Sequence, residues 1–181
     1  METLREILLK GDNVELQSPI PVSLADDVAF AANDKTILRN IGSHSFPYPY
    51  TVSNAIDFIT RNRYEGSRPF AIDFAIMHQG KFSGIIGISD IDYEDNKGHI
   101  GYWIKGDMRG KGIATESVRL LCRYSAENLR LHRLYTKVIH FNYPSVKVLL
   151  KNGFSIEGIE RDSILLEDGY HSMFLFGKIL D

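Results

Sequence analysis

Along the chain, apolar residues either alternate with polar ones or recur every three to four positions, and the switches between these two rhythms mark the elements. Val14 to Gln17 reads as a first strand after a short lead-in, closed by Pro19 and Pro21. Ser23-Leu24-Ala25-Asp26 reads as a variant capping box for a helix over about 24–32, with Leu24, Val28, Ala31 and Ala32 on one side. From Leu38 to Tyr50 the spacing of Gly42, His44, Pro47 and Pro49 predicts irregular chain, with Phe46-Pro47-Tyr48-Pro49-Tyr50 as an aromatic hinge or a wall of a pocket. Thr51 or Ser53 then caps a second helix to about Arg63. Phe70 to Met77 alternates and predicts a strand, followed by a turn at His78–Lys81 and a strand over Phe82–Ser89. Gly84 and Gly87 inside that strand predict a bulge or a close backbone approach. After a polar turn, His99, Gly101 and Trp103 point to one face of a third strand, and Ile100, Tyr102 and Ile104 to the other. Three strands joined by short turns predict an antiparallel meander.

The second half repeats a strand-then-helix order. A helix over 115–130 carries the stripe Val118, Leu121, Cys122, Ser125 and Leu129. A strand over Leu134–Phe141 runs into a helix that Asn142 caps, with Pro144 in the first turn, where its missing N–H costs nothing. Gly153 ends that helix in the left-handed conformation. Strands over Ser155–Leu165 and Ser172–Ile179 are joined at Glu167-Asp168-Gly169, a hairpin signal. With no linker or repeat, one domain over residues 1–181 is expected.

Composition narrows the function. A net charge of −2 excludes a global basic field, so neither nucleic acid nor a membrane surface is an expected partner. Apolar runs are too short to span a bilayer, and Met1-Glu2-Thr3-Leu4 does not open a signal peptide. The single cysteine, Cys122, precludes an internal disulfide and lies on an apolar stripe, so a core thiol and a cytoplasmic location are expected. The six histidines show no paired spacing, so no metal site is expected.

The candidate chemistry lies between the third strand and the helix after it. Arg109-Gly110-Lys111-Gly112-Ile113-Ala114 joins a strand to a helix start, where free N–H groups and the helix dipole favour an anion. A P-loop needs Ser or Thr where Gly112 stands, and a dinucleotide fingerprint needs a third glycine that is missing here. The loop is similar instead to the [QR]-x-x-G-x-[GA] acetyl-CoA motif of the GNAT N-acetyltransferases, through Arg109, Gly112 and Ala114. With Ile100-Gly101-Tyr102-Trp103-Ile104 before it, the stretch resembles the RimJ/RimL-like branch, and the resemblance extends over about residues 10–180.

That resemblance implies an α/β (α+β) fold: a mixed, mostly antiparallel sheet splayed between two parallel strands and flanked by about four helices. It implies acetyl-CoA as cofactor, with Arg109, Gly110, Lys111, Gly112, Ile113 and Ala114 on the diphosphate, Trp103 and Ile104 along the pantetheine arm, and Asn142 holding that arm. Lys147 or Lys151 is an alternative contact for the adenosine phosphate. The acceptor would be a primary amine: a peptide or protein N-terminus, as of a ribosomal protein, or a small amine such as a polyamine, amino sugar or antibiotic. A homodimer is a further implication. Among catalytic residues, the tyrosine many members carry after the Asn motif is Leu149 here, whereas Ser145 stands where the branch uses a serine as proton donor. His99 replaces a glutamate and is the candidate base, with Asp73 and Asp90 behind it; another glutamate of the branch is Ile164 here. These losses leave open a non-catalytic acyl-CoA sensor. Glu65, Asp90, Asp92 and Glu94 would form the acidic pocket that a polyamine needs.

Overall fold

The computed structural model describes residues 6–42, 46–65 and 68–180, so His44 and the Glu65 side chain lie outside the described residues. In chain order the strands are β1 (Ile7–Lys10), β2 (Val14–Ser18), β3 (Tyr64–Glu65), β4 (Arg68–Pro69), β5 (Ile72–His78), β6 (Lys81–Asp92), β7 (Lys97–Ile104), β8 (Arg133–Ile139), β9 (Ser155–Leu166) and β10 (Gly169–Ile179). The α-helices are α1 (Ala25–Ala32), α2 (Lys35–Ile41), α3 (Val52–Thr60), α4 (Ile113–Glu127) and α5 (Tyr143–Lys151). Eight strands form one sheet in the order β1-β2-β5-β6-β7-β8-β10-β9, and β3-β4 is a separate small hairpin. Every adjacent pair in the large sheet is antiparallel except β7–β8.

The exception positions everything that follows. β7 and β8 pair only where Lys97, Gly98 and His99 meet Arg133, Leu134 and Tyr135. Beyond His99 they separate, leaving the remainder of β7 unpaired on that side.

Two apolar clusters lie on opposite faces of the sheet. Phe74, Ile86, Ile100, Leu121, Leu149 and Phe176 pack with α4 and α5, whereas Val28, Ala32, Tyr50, Ala55, Phe82 and Ile85 pack beneath α1 and α3. The alternation of β7 divides it as its sequence implies: Ile100, Tyr102 and Ile104 join the first cluster, Trp103 the second. The close approach expected in β6 is present. A Cβ on Gly84 would lie 2.2 Å from the Trp103 carbonyl oxygen, and the β5–β6 register shifts between Ile76 and Met77.

Several expectations need correction. β1 precedes the expected first strand and pairs with it, since Ile7 and Leu9 reach the core edge. Among the described residues five α-helices flank the sheet, in keeping with the expected layout of about four, and residues 35–41, expected in part as irregular chain, form α2. Its ends explain it, because Asp34 caps the start by accepting from Thr36 N–H at 2.7 Å, and Gly42 closes it at φ 61°. Ser23 caps nothing, as it lies in a 3-10 turn that runs into α1. Helix α4 starts at Ile113, two residues early, because left-handed Gly112 is its N-cap.

Candidate active site

The gap between β7 and β8 opens into a cleft of about 900 Å³. One wall is β7 from His99 to Ile104, and the opposite wall is β8 at Thr136–Val138; Met173 of β10 joins them. Thr36, Ile37, Asn40 and Ile41 of α2 close one side. The end is formed by the loop before α4 and by Asn142, Pro144 and Ser145 at the start of α5. His99, Trp103, Ile104, Arg109, Gly110, Gly112, Ile113, Ala114, Asn142 and Ser145 all line this one cleft. Lys111 does not: its Nζ turns to the Met108 sulfur at 3.6 Å.

The loop is shaped for an anion. Gly110 and Gly112 have φ of 76° and 79°, in the region closed to most side chains, and a Cβ on either would meet nothing within 4 Å. The first bond of α4 runs from Glu116 N–H to Gly112 C=O at 3.1 Å, so the N–H groups of Ile113, Ala114 and Thr115 have no acceptor within the helix. The first-turn acid, Glu116, does not fill the seat, because its carboxylate accepts from the Asp12 and Asn13 N–H groups in the β1–β2 turn.

Arg109 departs from its expected role. Its Nε donates to the Ile104 carbonyl at 3.1 Å and its Nη2 to Asp34 Oδ2 at 2.7 Å. Burial pushes the Asp34 carboxyl up, but the Thr36 N–H and the Arg109 guanidinium outweigh it and hold the group below the ordinary carboxylate range. The guanidinium thus ties the loop to α2, and an anion here meets backbone N–H groups first. Nothing in the loop itself pointed to Asp34; the Asp34…Gly42 spacing around Thr36-Ile37-Leu38 was a readable helix signal.

At the start of α5, Asn142 Oδ1 accepts from Ser145 N–H at 3.3 Å as the expected cap, and its Nδ2 has no protein partner among the described residues. Tyr102, which the sequence placed on one face of β7 without a role, reaches from that strand to the same point. Its hydroxyl lies 2.8 Å from Ser145 Oγ and 3.3 Å from the Ser145 carbonyl. Burial pushes the Tyr102 phenol up to about 12, against a smaller lowering by the Ser145 hydrogen bond.

His99 lies on the other face of β7. Its Nδ1 is 3.3 Å from Ser89 Oγ, and its ring meets Tyr135 edge-on at 5.5 Å. Burial lowers its pKa, Asp90 opposes that and Lys137 adds to it, so the ring is neutral at pH 7. The two fallback carboxylates are differently placed. Asp73 is paired with Arg63, and burial still leaves its pKa raised; Asp90 sits at φ 50° beside Ser89. Ile164 fills space against Gly42 of α2. Of the aromatic hinge, Tyr50 is buried and stacks near Phe46, while Tyr48 is exposed; neither lines the cleft. Cys122 is buried and its thiol is pushed up to about 11, as for a core thiol. Among the described residues no grouping of three or more His, Cys, Asp or Glu side chains could hold a metal, and no helix is long and apolar enough to cross a membrane.

A sheet split between two parallel strands, each running into a helix start, with an open anion seat at one, defines an acyl-coenzyme A transferase layout. The model of the acetyltransferase (GNAT) domain matches residues 19–155, and the chain belongs to this family of acetyl-CoA-dependent N-acetyltransferases. The ribosomal-protein-serine acetyltransferase of Escherichia coli (strain K12) is 29% identical over 98% of this chain and 99% of its own length. Among solved structures, RimL, a ribosomal alpha-N-protein acetyltransferase in complex with coenzyme A, superposes with a TM-score of 0.86 at 21% identity, over 97% of this chain and 99% of that one. The spermidine N-acetyltransferase of Vibrio cholerae, with CoA and spermine, gives 0.82 at 17% identity, over 94% and 97%. The expected fold is thereby established.

Proposed function

We propose that this N-acetyltransferase acts in the cytoplasm on the α-amine of a protein N-terminus, of the ribosomal-protein kind that its full-length Escherichia coli relative is named for. One observation carries the choice of acceptor: among the described residues no Asp or Glu lines the cleft, whereas Lys151 does, beside Arg109 and Lys137, which are paired with Asp34 and Glu160. A polyamine carries several positive charges and would find no counter-ion there. In the β6–β7 turn Asp92 is occupied locally, since it accepts from the Glu94 and Asp95 N–H groups and pairs with Lys97 at 3.5 Å, and Lys97 also pairs with Asp95.

The residues fit acetyl-CoA. The N–H groups of Ile113, Ala114 and Thr115 and the open space above Gly110 and Gly112 would take the diphosphate. The unpaired edge of β7 through Trp103 and Ile104 would bond the amides of the pantetheine arm as an added strand, and Asn142 Nδ2 would donate to it. When bound, the cofactor supplies an acetyl group activated as a thioester. A backbone N–H of β7 would polarise its carbonyl. His99, held neutral, takes a proton from the attacking amine directly or through water, and Ser145 donates one on the far face of the strand.

Incubating the protein with acetyl-CoA and a panel of N-terminal peptides and small amines, read by thiol release and mass spectrometry, tests this. Acetylated peptide α-amines with little turnover of polyamines or amino sugars are expected. Preferential turnover of small amines would overturn the acceptor, and tight CoA binding with no turnover would favour the sensor.

A further inference from the structure

We infer that Tyr102 and Ser145 act as one proton-delivery pair, in which Tyr102 is the positioning and resupplying residue and Ser145 the group that reaches the departing sulfur. The inference rests on the reading given above, with the pantetheine arm along the unpaired edge of β7 and Asn142 donating to it. It answers a gap in the sequence: where the family resemblance would put a tyrosine in the helix, the residue is the buried Leu149. Here a phenol reaches the start of that helix from β7 instead.

Three contacts hold Ser145. Its N–H donates to Asn142 Oδ1 at 3.3 Å, its carbonyl lies 3.3 Å from the Tyr102 hydroxyl, and its Oγ lies 2.8 Å from that hydroxyl. Tyr102 is the single protein partner of Ser145 Oγ among the described residues. When the phenol donates along the shorter bond, the serine hydrogen is free to turn into the cleft, which both residues line. A hydroxyl oriented by a neighbour's donor is a better donor itself, because the two bonds polarise each other.

Chemistry requires the second member. A serine hydroxyl is an acid of about the strength of water, far weaker than a thiol, which titrates near ~8.5. Serine alone would therefore give its proton to a thiolate far uphill. With the Tyr102 phenol, at about 12, replacing that proton as it leaves, the pair as a whole faces a smaller gap than serine alone. The balance is complete. The amine nitrogen bonds to the carbonyl carbon, the C–S bond breaks with its electron pair on sulfur, and Ser145 passes its proton to sulfur while Tyr102 passes its own to Ser145 Oγ. The proton lost by the amine returns to the Tyr102 phenolate through solvent, and no other reactant is consumed.

The test uses Tyr102→Phe, Ser145→Ala and the double variant of the full chain. Phe keeps the ring that packs in the core and removes only the hydroxyl. Tyr102→Phe should lower kcat about thirtyfold with the KM of acetyl-CoA and acceptor within threefold, and the double variant should be within threefold of Ser145→Ala. A second readout needs no acceptor: the thiol of bound CoA, titrated by its thiolate absorbance, should have its pKa raised by about one unit in each single variant, because Ser145→Ala removes the donor to the thiolate and Tyr102→Phe removes the hydroxyl that orients and polarises that donor. A kcat within twofold of the parent, multiplicative losses in the double variant, or an unchanged thiol pKa would overturn the pair. If the parent acetylates no peptide, the acceptor reading fails and the thiol titration still decides the pair.

Discussion

Gly112→Asp separates the two reasons for a glycine at the start of α4. The residue sits at φ 79° and ψ −6°, and a Cβ there meets nothing within 4 Å. Any side chain pays ~1–2 kcal/mol for that conformation. A carboxylate at a helix N-terminus returns ~0.3–1 kcal/mol, so the variant folds, with Tm lowered by roughly 2–6 °C. Binding suffers far more. The added carboxylate occupies the space before the free N–H groups, and a phosphate charge about 4 Å away is repelled by ~4 kcal/mol at an effective dielectric of 20. With screening in an open cleft, a loss of at least about a hundredfold in CoA affinity is expected, at ~1.4 kcal/mol per decade. Gly112→Ala carries the same strain in free and bound states and only a methyl in open space, so its affinity should fall less than about tenfold. Calorimetric titration with CoA, beside thermal melts of both variants, measures this. A Gly112→Asp variant that binds CoA within threefold of the parent, or equal losses in both variants, would refute the anion seat.

Two further variants follow from the geometry. Asp34→Ser keeps a good cap on α2 and removes the carboxylate from Arg109; the partly exposed pair is worth up to ~1 kcal/mol, so the acceptor KM should rise about fivefold while CoA affinity does not weaken, and steady-state kinetics with calorimetry would show the opposite if Arg109 were a phosphate ligand held by Asp34. His99, whose pKa is lowered in the fold, binds fewer protons folded than unfolded between its two pKa values; its contribution to stability is therefore complete above ~6.5 and lost as pH falls through the folded value, so denaturant melts between pH 7 and pH 5 should lose less stability in His99→Gln than in the parent. The same variant should lower kcat/KM by roughly a hundredfold or more and flatten its acidic limb, whereas an unchanged profile would show that His99 is not the base.

Local rules wrote much of this protein into its sequence. The β5–β6–β7 meander, the β9–β10 hairpin, the Asn142 cap and the left-handed Gly153 were all legible because each depends on neighbours a few residues away. So was the glycine loop, since a strand, a positive-φ turn and a helix start suffice to expose N–H groups. What only the tertiary structure decided are meetings across long separations. β7 and β8 part company after three residue pairs, which creates the cleft. Arg109 is taken up by Asp34, 75 positions away, so its charge is spent on a wall of the cleft. Tyr102 meets Ser145 across 43 positions, which supplies a hydroxyl where residue 149 lacks one. Periodicity gave Tyr102 a face but no partner, because a hydrogen bond between distant residues depends on how the sheet and α5 pack, and no local pattern encodes that geometry.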